Sequence, residues 1–285
     1  MIPVSVVREV PADWREQLFA GALLVVTDVA ALATFRAHAE ALLAAAFAPA
    51  ASPTAQRALG EPAFRERIAP LRDAFRRDQR VRELLGRVVA AFGLDAATTY
   101  WDPPRLRVLP AGADLQDRDD MALEAHRDTW SSNVYAQVNW WIPLHTVTAE
   151  RAIAFYPRHW SVPVTNTSGA WDLEVLRAER AAGGPVTVPL VPTPSSPLDG
   201  TDAVAVVVQP GDLLLFSGAH LHATVANTSG TPRYSVEMRT VALDDVRSGR
   251  GAPNIDGAAP HVPWEWFRRI DDQTPLQAGL PGNAV

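Results

Sequence analysis

A chain of 285 residues, 47% hydrophobic and 20% charged, is long and apolar enough to bury a substantial core in one large domain or two ordinary ones. Its formal net charge of −6 argues against nucleic acid as the main partner, because duplex binders carry a basic footprint. Cysteine and lysine are both absent, which excludes disulfides, thiolate metal sites, cysteine nucleophiles, a lysine Schiff base and a Walker-type phosphate loop.

The lack of cysteine is compatible with a reducing cytoplasm, and a cytoplasmic location is expected. No leader-like pattern opens the chain. The most apolar early stretch, residues 18–35, is interrupted by Thr27 and Asp28, so no membrane span is expected.

In chain order, residues 22–26 read as a strand, and Thr27 or Asp28 as the cap of a helix reaching about residue 48. Residues 49–62 read as a Pro/Ser/Ala loop. A second helical region spans about 63–92, with a break expected at Pro70. It places Ile68, Leu71, Phe75, Val81, Leu84, Leu85, Val88 and Val89 at helical spacing, with arginines on a solvated face.

After Gly93 short apolar runs alternate with turn residues. Strands are expected at 105–109, 134–144, 153–156, 204–208, 213–216, 222–226 and 233–241. Residues 110–125 read as a polar loop. Residues 161–203, rich in Pro, Thr, Ser and Gly, read as a lid-like insertion with a short helix at 171–180. The tail after Gly249 is loop, with a short helix at 264–270. The expected architecture is α+β in one domain spanning 1–285. Helical support (1–95) precedes a double-stranded β-helix core of the jelly-roll or cupin-like kind (96–245), and a tail (246–285) follows.

The chemistry-bearing stretch is Ala125-His126-Arg127-Asp128-Thr129-Trp130. In an extended chain residues i and i+2 share a face, so His126 and Asp128 can close on one metal ion from one side. A third ligand is available downstream in Gly218-Ala219-His220-Leu221-His222, from either histidine. Two imidazoles and a carboxylate on one side of an ion, with other positions open, form the facial triad of non-haem Fe(II) oxygenases.

The last strand carries Arg233, Ser235, Glu237 and Arg239 on one face and Tyr234, Val236, Met238 and Thr240 on the other. With the apolar face against the helices, the polar face looks into a barrel mouth, and a bound carboxylate would suit its arginines. The alternative is a solvated face on which Glu237 pairs with an arginine.

Taken together, His126-x-Asp128, Pro210-Gly211-Asp212-Leu213-Leu214-Leu215-Phe216, a following histidine, Asn227 and Arg233-x-Ser235 occur in an order that resembles the Fe(II)/2-oxoglutarate-dependent dioxygenases. Within them it resembles the phytanoyl-CoA dioxygenase-like branch, over about residues 100–243. Asn227 five residues on and Arg233 eleven on match the family spacing from His222. The resemblance implies His126, Asp128 and His222 as iron ligands. It implies Arg233 as the partner of the far carboxylate of 2-oxoglutarate, Ser235 as a hydrogen-bonding neighbour and Gln137 as a further cosubstrate contact. Between the ligands the family's Glu-Asn-Gly and Pro-Gly-Ser-His are replaced by Glu150-Arg151-Ala152 and Pro157-Arg158-His159-Trp160.

The cofactors so implied are Fe(II), 2-oxoglutarate and O2, with succinate and CO2 as co-products of the hydroxylation of an unactivated C–H bond. Asp128 stands where related halogenases carry a small residue, so halogenation is not expected. The partner expected is a small polar or anionic substrate, with no nucleic acid and no membrane. Its candidate contacts are Trp130, Arg105, Arg107, Arg158, His159, His220 and Arg239. Two other readings remain: a cupin-like metalloenzyme that uses no 2-oxoglutarate, and a non-enzymatic jelly-roll binding module.

Overall fold

The structure, a computed structural model, describes residues 4–112, 123–183 and 186–280. Residues 113–122 of the expected loop, 184–185 of the expected insertion, and both chain ends lie outside the described residues.

The N-terminal third is helical, with a strand pair at its start. Strand β1 (Val4–Val7) runs parallel to β2 (Leu23–Val26), and helix α1 (Trp14–Phe19) lies between them in sequence. Helix α2 (Leu32–Phe47) buries Leu32, Phe35, Ala39, Leu43 and Phe47, one stripe at helical spacing. Neither Thr27 nor Asp28 caps it. Asp28 sits at φ 55°, its N–H donates to Asp212 at 2.9 Å, and its carboxylate pairs with Arg8 at 2.8 Å. With that side chain engaged elsewhere, the helix starts at Leu32 without a side-chain cap.

The expected loop at 49–62 instead holds a 3-10 turn (Ser52–Thr54) and helix α3 (Ala55–Leu59). Helix α4 (Glu61–Arg77) then runs straight through Pro70, because Phe64, Ile68, Leu71 and Phe75 bury one continuous stripe across it. The break falls at Asp78. Its carboxylate accepts the Val81 N–H at 2.9 Å to cap helix α5 (Gln79–Ala91) and also meets His38 at 3.0 Å.

The remaining strands are β3 (Thr99–Leu109), β4 (Val138–Pro143), β5 (Ile153–Phe155), β6 (Val204–Val206), β7 (Leu213–Ser217), β8 (His222–Thr224), β9 (Arg233–Ala242) and β10 (Arg268–Arg269). Helices α6 (Thr129–Ser132), α7 (Leu173–Ala182) and α8 (Leu243–Ser248) complete the set, and α8 carried no sequence expectation. The large sheet has the order β1-β2-β7-β4-β9-β3-β10, antiparallel throughout except for β1 and β2. A second sheet has the order β6-β5-β8. The fold is therefore mixed α+β with a large, mostly antiparallel sheet.

Three expected elements shift. Strand β3 begins six residues early, and its register with β9 slips between Asp102 and Arg105. Pro103 and Pro104 lie in that gap and have no N–H to give the ladder. Strand β4 begins only at Val138. The expected helix at 264–270 is a 3-10 turn (Trp264–Trp266) followed by β10, which pairs with the start of β3.

Alternation along the large sheet sends its side chains to two separate cores. Trp140, Val138, Ile142, Leu213, Leu215, Tyr234, Val236 and Met238 pack with the N-terminal helices. Trp141, Leu214 and Phe216, with Leu23 and Val25, pack with Ile153, Phe155 and Val206 of the small sheet. Helices, large sheet and small sheet thus form three layers. Among the described residues no helix is long and apolar enough to cross a membrane.

Candidate metal centre

Two ligand-bearing segments are lashed together by backbone. The His126 N–H donates to the His222 carbonyl at 2.9 Å, and the His222 N–H returns the bond to His126 at 3.0 Å. The two imidazoles lie with ring centroids 4.4 Å apart. Asp128 is not extended, as its spacing from His126 had suggested. The chain turns into α6 at this residue (φ −61°, ψ −31°), which brings the carboxylate round to the imidazole, with His126 Nε2 at 3.7 Å from Asp128 Oδ1. One ligand atom from each of His126, Asp128 and His222 lies within 4.8 Å of the others. Such a set is able to hold a metal ion.

Neighbouring groups orient all three side chains. His126 Nδ1 lies 2.8 Å from the Glu124 carbonyl and His222 Nδ1 lies 2.9 Å from the His220 carbonyl. Donation from both Nδ1 atoms leaves each Nε2 lone pair free for a metal. Asn139 donates its amide to Asp128 Oδ2, and Gln137 donates to Asn139 at 2.7 Å. Burial alone would raise the Asp128 pKa; the adjacent His126 and His222 imidazoles and the Arg239 guanidinium overturn that and hold the carboxyl well below its usual range. Burial, with His126 alongside, pushes His222 down to about 4. Near neutral pH Asp128 is a carboxylate and His222 a neutral imidazole, the forms in which each can take a cation.

The triad opens onto a cavity of about 660 Å³ between the two sheets. Arg233 lines it too, and is itself 4% exposed. Its Nη1 reaches the Arg151 and Ala152 carbonyls at 3.1 and 3.0 Å, and its guanidinium lies 5.7 Å from the Trp141 ring. No carboxylate among the described residues pairs with it, and its Nε has no acceptor. Burial pushes its pKa down to about 10 despite Glu237 nearby.

Three neighbouring buried donors also lack acceptors: Arg107 Nη1, Trp141 Nε1 and Ser235 Oγ. Arg107, Ser235, Glu237 and Trp141 are joined across β3, β9 and β4 by strand register, with Ser235 opposite Arg107 and Trp141 opposite Glu237. Unpaired buried donors are costly, and four in one region mark a place for an anion.

The other residues singled out in the sequence divide. Arg105, Arg107 and Arg239 line the cavity. Arg107 holds Glu237 at 2.7 Å, while Arg105 and Arg239 both clasp Asp102. Gln137 is outside the lining and touches Asn139 instead, so it faces the back of Asp128.

Trp130, Arg158, His159 and His220 are outside the lining as well. Trp130 is fully buried and donates to Asp256 at 2.7 Å. Arg158 is exposed on a 3-10 turn (Pro157–Trp160). His159 meets the Val162 carbonyl at 3.3 Å, and His220 packs on Trp160 with centroids 4.4 Å apart. Trp130 and His220 are thus committed to packing.

Cavity residues not singled out from the sequence include Asp102, Asn139 and Trp141, while Glu237 lies on the cavity side and pairs with Arg107. A signal existed for Asn139 and Trp141, which alternate with apolar residues on one face of β4. Helix α7 adds Leu173, Leu176, Arg177 and Arg180, spaced so that one helical face looks into the cavity.

No protein-family model matches the chain, and no curated protein matches its sequence. Solved structures resemble it at low identity. EvdO2 from Micromonospora carbonacea var. aurantiaca is 14% identical over 85% of this chain and 94% of its own, with a TM-score of 0.47; its complex with 2-oxoglutarate gives 13% and 0.46. SnoK, a non-heme alpha ketoglutarate dependent carbocyclase from nogalamycin biosynthesis, is 18% identical over 68% of this chain and 72% of its own, with a TM-score of 0.39. The chain spans 34% of EvdMO1, at 20% identity over 59% of this chain and a TM-score of 0.36. Likenesses this distant assign neither a family nor an activity to the chain.

Proposed function

We propose that the chain is a non-haem Fe(II)/2-oxoglutarate-dependent dioxygenase that hydroxylates an unactivated C–H bond of a small anionic or polar substrate. The observation that carries the reading is one cavity with a His126–Asp128–His222 set and, in its lining, a buried Arg233 that pairs with no carboxylate among the described residues. The order of motifs supports the phytanoyl-CoA dioxygenase-like branch. The two facing sheets are read as its double-stranded β-helix core within a single domain.

The donor set fits the cosubstrate. A dicarboxylate needs a cation at one end and forked or clustered donors at the other. His126, Asp128 and His222 would hold Fe(II) through two imidazole nitrogens and one oxygen, leaving positions open. The far carboxylate would give Arg233 Nε, Ser235 Oγ, Trp141 Nε1 and Arg107 Nη1 the acceptor each now lacks. When bound, iron and 2-oxoglutarate supply the oxidising power, with O2 consumed and succinate and CO2 released. The protein holds the substrate and excludes water.

The lining supplies a charge preference. Seven arginines and four carboxylates line the cavity, which favours an anionic substrate. Residues 161–203 supply Trp171, Leu176, Arg177 and Arg180 to that lining, so we read the segment as a lid.

A second reading, a metalloenzyme without 2-oxoglutarate, draws on Glu237. This half-buried carboxylate lies in the same cavity, held by Arg107 and close enough to Arg233 to act as an internal counter-charge. One experiment separates the readings. Protein supplied with Fe(II), ascorbate and 2-oxoglutarate is assayed for succinate, beside Arg233→Ala and His126→Ala. The first reading expects succinate that falls in both variants. No succinate from protein that still binds Co(II) through His126 would favour the second.

A further inference from the structure

We infer that Asp256 is a positioning residue for the metal centre, acting through Arg127. The inference rests on the reading of His126, Asp128 and His222 as ligands.

Arg127 stands between two of those residues, yet its side chain turns away from the cavity and is 2% exposed. Every nitrogen of its guanidinium is engaged. Nη1 donates to the Ala219 carbonyl at 2.6 Å, Nη2 donates to the His159 carbonyl, and Nε and Nη2 reach Asp256 Oδ2 at 3.2 and 3.1 Å. Ala219 lies on the segment that carries His222. One side chain therefore sets the spacing between the 126–128 turn and the 219–222 segment.

Asp256 comes from the tail, far away in sequence, and its side chain is 5% exposed. Besides Arg127 it accepts the Trp130 Nε1–H at 2.7 Å and the Val164 N–H at 2.9 Å, while its own carbonyl accepts from Asn166 at 2.9 Å. Trp130 sits on α6, directly after Asp128. The carboxylate is an acceptor shared by the metal turn, its helix and the base of the 161–203 segment. A buried guanidinium without this counter-charge would have to move or draw in water. Either change would displace the His126–Asp128 backbone relative to Ala219. Groups that orient metal ligands typically matter ten- to a hundredfold in metal affinity.

The test is Co(II) titration of the full chain, following both affinity and the visible ligand-field bands, with unfolding of the metal-free protein measured beside it. Asp256→Asn keeps the shape and removes the charge. It should weaken Co(II) about ten- to a hundredfold and shift the bands. Asn254→Ala, which loosens the same tail at the Asn254–Gly257 turn, should do neither. Folded Asp256→Asn with unchanged affinity and bands, and only a lower unfolding midpoint, would overturn the inference. If Asp256→Asn fails to fold, Trp130→Phe decides: it keeps the ring and removes one donor, and it should weaken Co(II) severalfold, whereas no change would overturn the inference. A wild type whose Co(II) binding survives His126→Ala would instead sink the ligand assignment, and the role given to Asp256 with it.

Discussion

The side-chain amide of Asn139 donates to Asp128 Oδ2, while Gln137 donates in turn to Asn139. The pair crosses from β4 to the turn before α6, so the carboxylate is aimed by a residue eleven positions away. Asn139→Leu should leave the sheet intact and free the Asp128 side chain to rotate. Metal affinity should fall roughly ten- to a hundredfold. Isothermal titration with Co(II) measures it, and an affinity equal to wild type would show that Asp128 needs no such guide.

Arg233 offers the cavity a full charge with no carboxylate in contact among the described residues. Arg233→Ala should raise the KM for 2-oxoglutarate by about ten- to a hundredfold, the equivalent of roughly 1.5–3 kcal/mol for a lost charged hydrogen bond. Metal affinity should not change. Arg233→Lys should recover little of the loss, because an ammonium cannot form the two-pronged contact. Steady-state kinetics at saturating metal supply the comparison.

The sequence already held much of this centre, and the reasons are local. His126 and Asp128 are neighbours, and the Pro210-Gly211-Asp212 turn announces β7 because only a glycine is comfortable at φ 104°. The two faces of β9 also separate as its alternation predicts, with Tyr234, Val236 and Met238 in the helical core and Arg233, Glu237 and Arg239 in the cavity. What could not be read depends on partners remote in the chain. Asp28 looks like a helix cap until Arg8 and Asp212 are brought beside it. Trp130 looks like a pocket wall until Asp256 takes its indole N–H. Asp102 gains its meaning only when Arg239 arrives from the far end of β9.

Gly218 is a site of close approach. A Cβ placed there would stand 2.6 Å from Gln137 Nε2 and 3.4 Å from Asp128 Cβ. Gly218→Ala should push Gln137 off Asn139 and cost about 1–3 kcal/mol of stability. Chemical denaturation would detect it. A variant as stable as wild type would mean that Gln137 swings aside freely.

His220 stays neutral inside the fold. Burial against Trp160 and Phe155 pushes its pKa down to about 3. The unfolded chain regains a value of about 6.5. Between those limits the unfolded state binds a proton that the folded state refuses, so stability falls as pH drops from about 6.5 and levels off near the folded value. In metal-free protein, His220→Phe should flatten that dependence by up to about 1.4 kcal/mol per pH unit. Urea midpoints between neutral and mildly acidic pH test it, and parallel curves for the two proteins would count against a neutral buried imidazole.

Strand β9 belongs to the helical core on one side and to the cavity on the other. Whatever fastens its inward face therefore also fastens the packing beneath α2 and α4. Loading the cavity should slow amide exchange in helices that never touch a ligand, and it should raise the melting temperature of the whole assembly of layers. Calorimetry would then report occupancy from the far side of the sheet, before any substrate is known.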